Sequence, residues 1–307
     1  MPHLRLRTLL RQYFHKHGRQ SAINELRWMN WHKVKHENPT RAAELLQRRL
    51  RDEPLAYILG ILLAYDLQRC TNLYHKGNQP FGDLDILVRS PILIPRPETE
   101  DWTLRLSERV RDIQIESHKP LKLLDICTGT GCIPLLLLSR LRVLLPYRRI
   151  TAHAVDISME AVSLGELNMA KQLTSGALGT HHYLTFHQHD LFSSDFAEFL
   201  SHHSPFDVIT CNPPYISTAE YSALPPSVIK FEDRNALLGT GEDGTGYYRQ
   251  LSLLLSTRTL IHSNGLLAME IGWKQAAVVP SLFSSVSRSV EIWQDPWGKD
   301  RLVVCTF

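Results

Sequence analysis

The stretch Leu121–Gly131 reads LKLLDICTGTG, a short apolar run that ends in a turn with two glycines. Such a run is typical of a buried β-strand, and the apolar residues from Ile133 to Leu145 continue at helical spacing. Glycines in a strand-to-helix turn let backbone N–H groups approach a ligand, and the start of the following helix favours a negatively charged group. The stretch therefore predicts a ligand-binding strand-turn-helix unit.

Strands and helices alternate after this unit. We predict strands at Ile150–Val155, Tyr183–His187 and Phe206–Thr210, and a helix at Met159–Leu173. This alternation predicts an α/β fold with a doubly wound, mostly parallel sheet. The tail breaks the pattern, because Pro296–Lys299 separates two strand-like runs, a signature of a reversed C-terminal hairpin.

The chain before the sheet has a different pattern. Apolar residues recur at helical spacing from Leu4 to about Tyr57, so residues 1–78 are predicted to form a small domain of two to four helices. Residues 79–100 alternate as short strands do and are predicted to form a β-hairpin linker. The α/β domain is predicted to occupy residues 101–307.

The charge is unevenly distributed. Residues 1–51 hold twelve Lys/Arg and three Asp/Glu, whereas the remainder of the chain holds 22 basic and 28 acidic residues. Residues 1–25 are basic with interleaved leucines, which resembles an amphipathic mitochondrial presequence. The alternative is the first helix of a basic helical domain. The uneven charge predicts a basic arm, a targeting segment, or a face that meets a nucleic acid or a ribosomal partner. The presequence pattern predicts a mitochondrial location, and the expected location is otherwise cytoplasmic.

Two classes of protein are disfavoured by composition. The longest apolar stretches fall far short of the roughly 20 residues that cross a bilayer, so no membrane association is expected. The five cysteines form no Cys-x-x-Cys pair, which argues against a disulfide framework or a structural zinc site. No metal site is predicted.

Acidic residues end successive predicted strands. Asp156 ends the strand after the glycine turn, where a carboxylate can accept hydrogen bonds from ribose hydroxyls. Asp190 is followed by Leu191 and Phe192, a combination that suits the amine and the face of an adenine ring. The glycine turn lacks the third glycine of the dinucleotide fingerprint, which disfavours a nicotinamide enzyme. Each acid alone could instead cap a helix.

The most informative loop is Asn212-Pro213-Pro214-Tyr215, which follows a predicted strand. The side-chain oxygen of Asn212 and the carbonyl of Pro213 can each accept an N–H bond from a planar NH₂ group. The nitrogen of such a group is a poor nucleophile because its lone pair is delocalised. Two fixed acceptors would orient it toward the sulfonium methyl group of S-adenosylmethionine and stabilise the developing charge. Tyr215 would stack on the planar group.

Beyond about Arg51, the chain resembles the HemK-type protein-glutamine N5 methyltransferases. The combination of Ile94–Glu100, which reads IPRPETE, with Asn212–Tyr215 is specific, although either block alone is not. The other matching blocks are Glu53–Gly60, Gln79–Gly82, Asp125–Gly131, Ala236–Leu237, Gly241–Gly244, Met269–Gly272 and Gly298–Arg301.

This resemblance implies a class I methyltransferase fold, S-adenosylmethionine as cofactor, and the Gly-Gly-Gln glutamine of a class 1 peptide chain release factor as substrate. It suggests a mitochondrial member of the fungal type, with a helical N-terminal domain that recognises the release factor and no need for direct nucleic-acid binding. Asn212, Pro213 and Tyr215 become the predicted catalytic residues, and Asn212–Tyr215 the predicted glutamine contacts. The predicted cofactor contacts are Asp125, Thr128, Gly129, Gly131, Asp156, Asp190, Leu191 and Asn212.

Two features depart from the family, and other functions stay open. Cys127 stands where many members carry glycine, and residues 61–77 form an extra segment. The resemblance places Arg96 and Glu98 near the cofactor and substrate, although a structural salt bridge is an equal alternative. The competing functions are an adenine-N6 nucleic-acid methyltransferase, a ribosomal-protein glutamine methyltransferase, and a non-catalytic ribosome or assembly factor.

Overall fold

The computed structural model describes residues 2–29, 31–58, 77–113, 119–179 and 182–307. The chain divides into two compact units, of which the first comprises residues 1–79, 87–91 and 224–232. The second comprises residues 80–86, 92–223 and 233–307. Apart from Gly77, the extra segment 61–77 lies outside the described residues.

The first unit begins with four helices. They are α1 (Pro2–His17), α2 (Arg19–Trp28), α3 (Trp31–Glu37) and α4 (Pro39–Leu50). The Asn38 side chain accepts a hydrogen bond from the backbone N–H of Arg41 at 3.0 Å, which caps the start of α4. Leu6, Leu9 and Tyr13 of α1 belong to the apolar core of this unit. The first helix, which the presequence pattern covers, therefore contributes to the folded core.

The remaining elements follow along the chain. A two-stranded sheet consists of β1 (Gly77–Phe81) and β2 (Leu84–Val88). The helices are α5 (Pro97–Arg111), α6 (Cys132–Leu144), α7 (Met159–Thr174), α8 (Ser194–His203), α9 (Thr218–Tyr221), α10 (Pro226–Ile229), α11 (Arg234–Leu237), α12 (Gly246–Leu255) and α13 (Val279–Phe283), with a 3₁₀ turn at Trp273–Ala277. The strands are β3 (Leu121–Ile126), β4 (Ile150–Asp156), β5 (Tyr183–Gln188), β6 (Phe206–Cys211), β7 (Ile261–Glu270), β8 (Ser289–Gln294) and β9 (Asp300–Thr306).

These last seven strands form one sheet in the order β5-β4-β3-β6-β7-β9-β8. The first four pairings are parallel, and β9 runs antiparallel to both β7 and β8. The predicted α/β fold with a reversed C-terminal hairpin is confirmed. Sequence analysis missed β7, because polar residues 262–264 and Gly265 interrupt its apolar pattern.

Both faces of the sheet are buried. Leu123 and Val208 point into the core that contains α5 and α6, whereas their neighbours Leu124 and Ile209 point into the core that contains α8 and α12. Side chains alternate along a strand, so a strand covered on both faces must be almost entirely apolar. The central strands β3 and β6 are mostly apolar, and the buried polar pair Asp125 and Thr210 is joined by a hydrogen bond.

This topology determines where a ligand can bind. From β3 the chain passes outward to β4 and β5 and then returns to β6 on the other side of β3. The strand order therefore reverses at β3. In such sheets, ligands bind in the crevice at the carboxyl ends of the strands beside this reversal. Among the residues that the structure describes, no helix is long and apolar enough to span a membrane.

Candidate active site

A pocket lies at the carboxyl ends of β3, β4, β5 and β6. Six of the predicted site residues line it, namely Gly129, Asp156, Asp190, Leu191, Asn212 and Pro214. The lining does not include Asp125, Thr128, Gly131, Pro213 or Tyr215. The pocket therefore brings together Asp156, Asp190 and the Asn212 loop, whereas Asp125 lies outside its lining.

The turn after β3 is fixed to the end of β4. The backbone N–H of Thr128 donates to the carbonyl of Val155 at 3.0 Å, and that of Gly129 donates to Oδ2 of Asp156 at 2.8 Å. Cys127 has a φ of 59°, in the left-handed region that costs a non-glycine residue roughly 1–2 kcal/mol. Glycine would adopt this backbone conformation without that cost.

Asp156 is placed to face a polar ligand. Its Oδ1 accepts the backbone N–H of Ser158 at 3.0 Å, while its Oδ2 accepts that of Gly129. Burial raises the pKa of Asp156, and the backbone hydrogen bonds from Ser158, Gly129 and Ile157 oppose that shift. A carboxylate has about four lone-pair sites, so Asp156 can still accept a hydrogen bond from a ribose hydroxyl without losing these bonds.

The adenine end of the predicted cofactor site is apolar with one acid. Oδ1 of Asp190 accepts the backbone N–H of Phe192 at 3.0 Å, and Leu191 is buried. Tyr247 lines the same pocket, with its ring centroid 5.2 Å from that of Phe192 in an edge-on arrangement. Sequence analysis missed Tyr247, because it lies far from the strand-end motifs. Acid, aliphatic wall and aromatic ring together fit the nucleoside of S-adenosylmethionine.

Asp125 lies beneath the turn, away from the pocket surface. Its side chain is fully buried, and its Oδ1 accepts the Thr210 hydroxyl at 2.6 Å. Burial raises the pKa of Asp125 to about 7, although the hydrogen bond from Thr210 opposes the shift. The acid thus joins β3 to β6 directly before the two ligand loops. Its predicted contact with the cofactor stays a prediction.

The Asn212 loop presents two oxygen acceptors. Asn212 is half-buried and lines the pocket, while Pro213 is buried next to it. Within the described part of the chain, neither the side-chain oxygen of Asn212 nor the carbonyl of Pro213 receives a hydrogen bond. Polar groups in such a position usually have partners, so both oxygens are available to a ligand.

Tyr215 is held from its backbone. Its carbonyl accepts Nε2 of Gln275 at 3.0 Å, and the same amide group donates to the carbonyl of Asp243 at 3.0 Å. The next residue, Ile216, donates its backbone N–H to the carbonyl of Leu237 at 2.9 Å. Sequence analysis missed Gln275, which no spacing rule connects to Asn212. The loop is thereby fixed relative to the block Gly241–Gly244.

Comparison with known proteins establishes the family. No family model matches the chain. The chain is 34% identical over 282 residues to the probable MRF1 mitochondrial N(5)-glutamine methyltransferase mtq1 of Schizosaccharomyces pombe, which covers 89% of this chain and 81% of that protein. The chain belongs to the release factor glutamine methyltransferase family. This confirms the resemblance to the HemK-type enzymes, and the chain is an S-adenosylmethionine-dependent methyltransferase.

Other relatives of this family agree. The release factor glutamine methyltransferase of Chlorobaculum tepidum is 30% identical over 276 residues, covering 88% of this chain and 82% of its own length. The mitochondrial MRF1 N(5)-glutamine methyltransferase MTQ1 of Saccharomyces cerevisiae is 36% identical over 169 residues, or 54% of this chain and 49% of that protein. The solved N-terminal domain of human METTL16 in complex with SAH has a TM-score of 0.47 at 16% identity and 82% coverage of each chain. The family assignment rests on the sequence relatives alone.

Gly244 should prove essential to the position of Tyr215. It has a φ of 71°, and a Cβ atom there would lie 2.5 Å from the Tyr215 carbonyl oxygen. Gly241 has a similar φ of 82°, but its nearest neighbour would be Oδ1 of Asp243 at 3.5 Å. We expect Gly244→Ala to lower the free energy of unfolding by about 1–3 kcal/mol more than Gly241→Ala does, because only the former forces the loop to move. Urea unfolding of both variants measures the difference, and equal losses would contradict the close packing.

Asp125 should make stability depend on pH. Because its pKa is raised in the folded protein, the native state binds this proton more tightly than the unfolded chain does. The resulting stabilisation is complete below the unfolded pKa of about 4 and is lost as the pH rises through about 7. Asp125→Asn cannot ionise, so its stability relative to the wild type should be higher at pH 8 than at pH 5.5. Thermal unfolding at both pH values tests this, and a difference that does not change with pH would refute it.

Proposed function

We propose that this chain methylates the side-chain amide nitrogen of the glutamine in the Gly-Gly-Gln motif of a mitochondrial class 1 release factor, with S-adenosylmethionine as the donor. The proposal is supported by the oxygen acceptors of Asn212 and Pro213, which receive no hydrogen bond from the residues that the structure describes and lie beside a pocket that fits the cofactor. A glutamine carboxamide carries two N–H groups on one planar nitrogen. Two acceptors on a rigid loop match that arrangement.

The loop residues make two kinds of contact with the substrate amide. Bound S-adenosylmethionine supplies an electrophilic methyl group. Two oxygens, Asn212 Oδ1 and the Pro213 carbonyl, each accept a hydrogen bond from one N–H group of the amide. These bonds hold the nitrogen in one orientation and stabilise the positive charge that develops on it. The Tyr215 ring packs on the carboxamide plane. Because the nitrogen becomes acidic after methylation, its proton leaves to water without a general base.

The cofactor would be held by the pocket residues. Asp156 would accept the ribose hydroxyls, Asp190 the adenine amine, and Leu191 would cover the adenine face. The turn containing Gly129 and the N-terminus of α6 would face the carboxylate of the methionine portion of S-adenosylmethionine. The predicted contacts of Thr128 and Gly131 belong to this turn.

The choice of substrate is supported by the relatives. Two of them are named as mitochondrial MRF1 methyltransferases, and others as release factor glutamine methyltransferases. We propose the same substrate class for this chain, with residues 1–78 as the domain that recognises the release factor. Residues 79–100 would serve as the linker, and residues 101–307 would carry the reaction.

The substrate is tested with purified protein and labelled S-adenosylmethionine. We expect label in a release factor that carries Gly-Gly-Gln and none in its Gln→Ala form. Asn212→Ala should lower turnover at least ~100-fold, as the loss of one transition-state contact does elsewhere, while the affinity for S-adenosylmethionine changes much less.

Three outcomes would argue against the proposal. Labelling of DNA or RNA instead would favour the adenine-N6 function, and labelling of a ribosomal protein would favour the other glutamine enzymes. Equal loss of turnover and of cofactor affinity in Asn212→Ala would show that Asn212 mainly serves the cofactor.

The mitochondrial location is tested separately. Residues 1–30 are basic and begin with the helix α1, and two relatives are named as mitochondrial. A fluorescent reporter fused to residues 1–30 should enter mitochondria. A reporter with Arg5, Arg7 and Arg11 changed to glutamine is the matched control and should stay in the cytosol. A diffuse signal from the unaltered fusion would remove this part of the proposal.

A further inference from the structure

Glu270, the last residue of β7, is a buried carboxyl group that no sequence motif rule assigns to the site. It is 2% exposed. Its Oε2 accepts the Thr99 hydroxyl at 2.6 Å and the indole N–H of Trp102 at 2.8 Å. Burial raises the pKa of Glu270, while the Thr99 and Trp102 bonds and the charge of Arg301 oppose that shift. A carboxyl group is costly to bury, so its convergence with several donors marks a specific position.

The other oxygen of Glu270 faces the substrate loop. The Tyr215 hydroxyl lies 3.3 Å from Oε1 of Glu270. This is long for a hydroxyl–carboxylate bond, and catalytic-site bonds often tighten only when substrate binds. Burial and the Glu270 carboxylate raise the pKa of Tyr215, so its hydroxyl stays protonated and able to donate. Gln275 holds the same residue at its carbonyl.

The contacts of Glu270 also connect two sequence blocks. Thr99 belongs to Ile94–Glu100, and Tyr215 ends the block Asn212–Tyr215. The two blocks lie more than a hundred residues apart in the chain, yet one side chain contacts both. The backbone carbonyl of Glu270 also accepts a hydrogen bond from the Tyr248 hydroxyl, at 2.8 Å. The carboxyl group is therefore fixed on its backbone as well as at its tip.

We propose that Glu270 is a positioning residue for methyl transfer, which anchors the Tyr215 hydroxyl and so fixes the ring that packs on the substrate carboxamide. This inference rests on the proposed function, since it assigns Tyr215 a place beside the glutamine. Glu270 acts only through Tyr215. The family's combination of the two blocks then has a physical reason, because Thr99 and Trp102 on α5 orient the carboxyl group that orients the tyrosine.

Four variants and one control test this role. Tyr215→Phe removes only the hydroxyl. Glu270→Met keeps the length of the side chain but removes the oxygens that accept hydrogen bonds. The double variant combines both changes. Glu270→Gln keeps the length, and its NH₂ group can donate to the Tyr215 oxygen. Thr103→Val is the matched control on α5, because the buried Thr103 hydroxyl bonds the Thr99 carbonyl at 2.6 Å and does not contact Glu270.

We expect kcat/KM for the release factor to fall about tenfold in Tyr215→Phe and in Glu270→Met, as the loss of one hydrogen bond allows. The double variant should lose no more than either single variant, and Glu270→Gln should recover most of the activity lost in Glu270→Met. S-adenosylmethionine affinity should stay within about twofold throughout, since neither side chain lines its pocket. Thr103→Val should lower Tm without lowering kcat/KM. Additive losses, or full activity in Tyr215→Phe, would overturn the proposal.

A second measurement needs no substrate, so it separates this inference from the proposed function. In protein labelled with ¹³C-tyrosine, the Tyr215 signal is the one lost in Tyr215→Phe. It should shift in Glu270→Met and stay in place in Thr103→Val. An unmoved signal in Glu270→Met would overturn the anchoring contact even if the release factor is labelled. If Glu270→Met does not fold, the Tyr215 signal in Glu270→Gln tests the contact instead. It must also shift, because the hydrogen bond between residues 215 and 270 then runs in the opposite direction.

Discussion

Parallel pairing of β3 with β4 on one side and β6 on the other is the constraint on which the rest of the structure depends. It places the carboxyl ends of neighbouring strands at one edge, so that the turn after β3 and the loop after β6 face the same pocket. A hydrogen bond from the Gly129 N–H to Asp156 fixes the turn after β3. Directly below the two loops, a hydrogen bond between Asp125 and Thr210 joins β3 to β6. The sheet itself therefore holds the two loops for which we propose cofactor and substrate binding.

Residues outside the proposed substrate loop, Asn212–Tyr215, hold that loop in place. Two prolines restrict its backbone, but the orientation of Tyr215 depends on distant residues. Gln275 binds its carbonyl, Glu270 faces its hydroxyl, and Gly244 leaves just enough room beside the carbonyl. Burial and the Glu270 carboxylate raise the pKa of Tyr215, and the charges of Arg301 and Arg96 offset only part of that rise, so the hydroxyl stays protonated. Precise orientation matters here because the amide nitrogen is intrinsically unreactive, and a small misplacement lowers the rate strongly.

The sequence predicted the elements whose signals are local. The run Leu121–Ile126, the glycine turn and the Asn212 loop each carry a pattern that strand and turn chemistry explain. The sequence did not reveal β7, whose first half is polar. It also did not reveal Tyr247, Glu270 or Gln275, because these side chains reach the site through tertiary packing that no periodicity encodes. Asp125 shows a further limit, since a motif predicts that an acid lies near a ligand but not which way its side chain points.

We propose that the acceptor pair of Asn212 and Pro213 selects a glutamine amide of a release factor. The decisive experiment is mass spectrometry of the mitochondrial release factor from cells with and without this chain, with fragmentation that locates each methyl group. We expect one methyl group on the Gly-Gly-Gln glutamine side chain when the wild-type chain is present, and none when it is absent or carries Asn212→Ala. An unchanged methyl group in cells that lack the chain, or one on a different residue, would show that this chain does not methylate that glutamine.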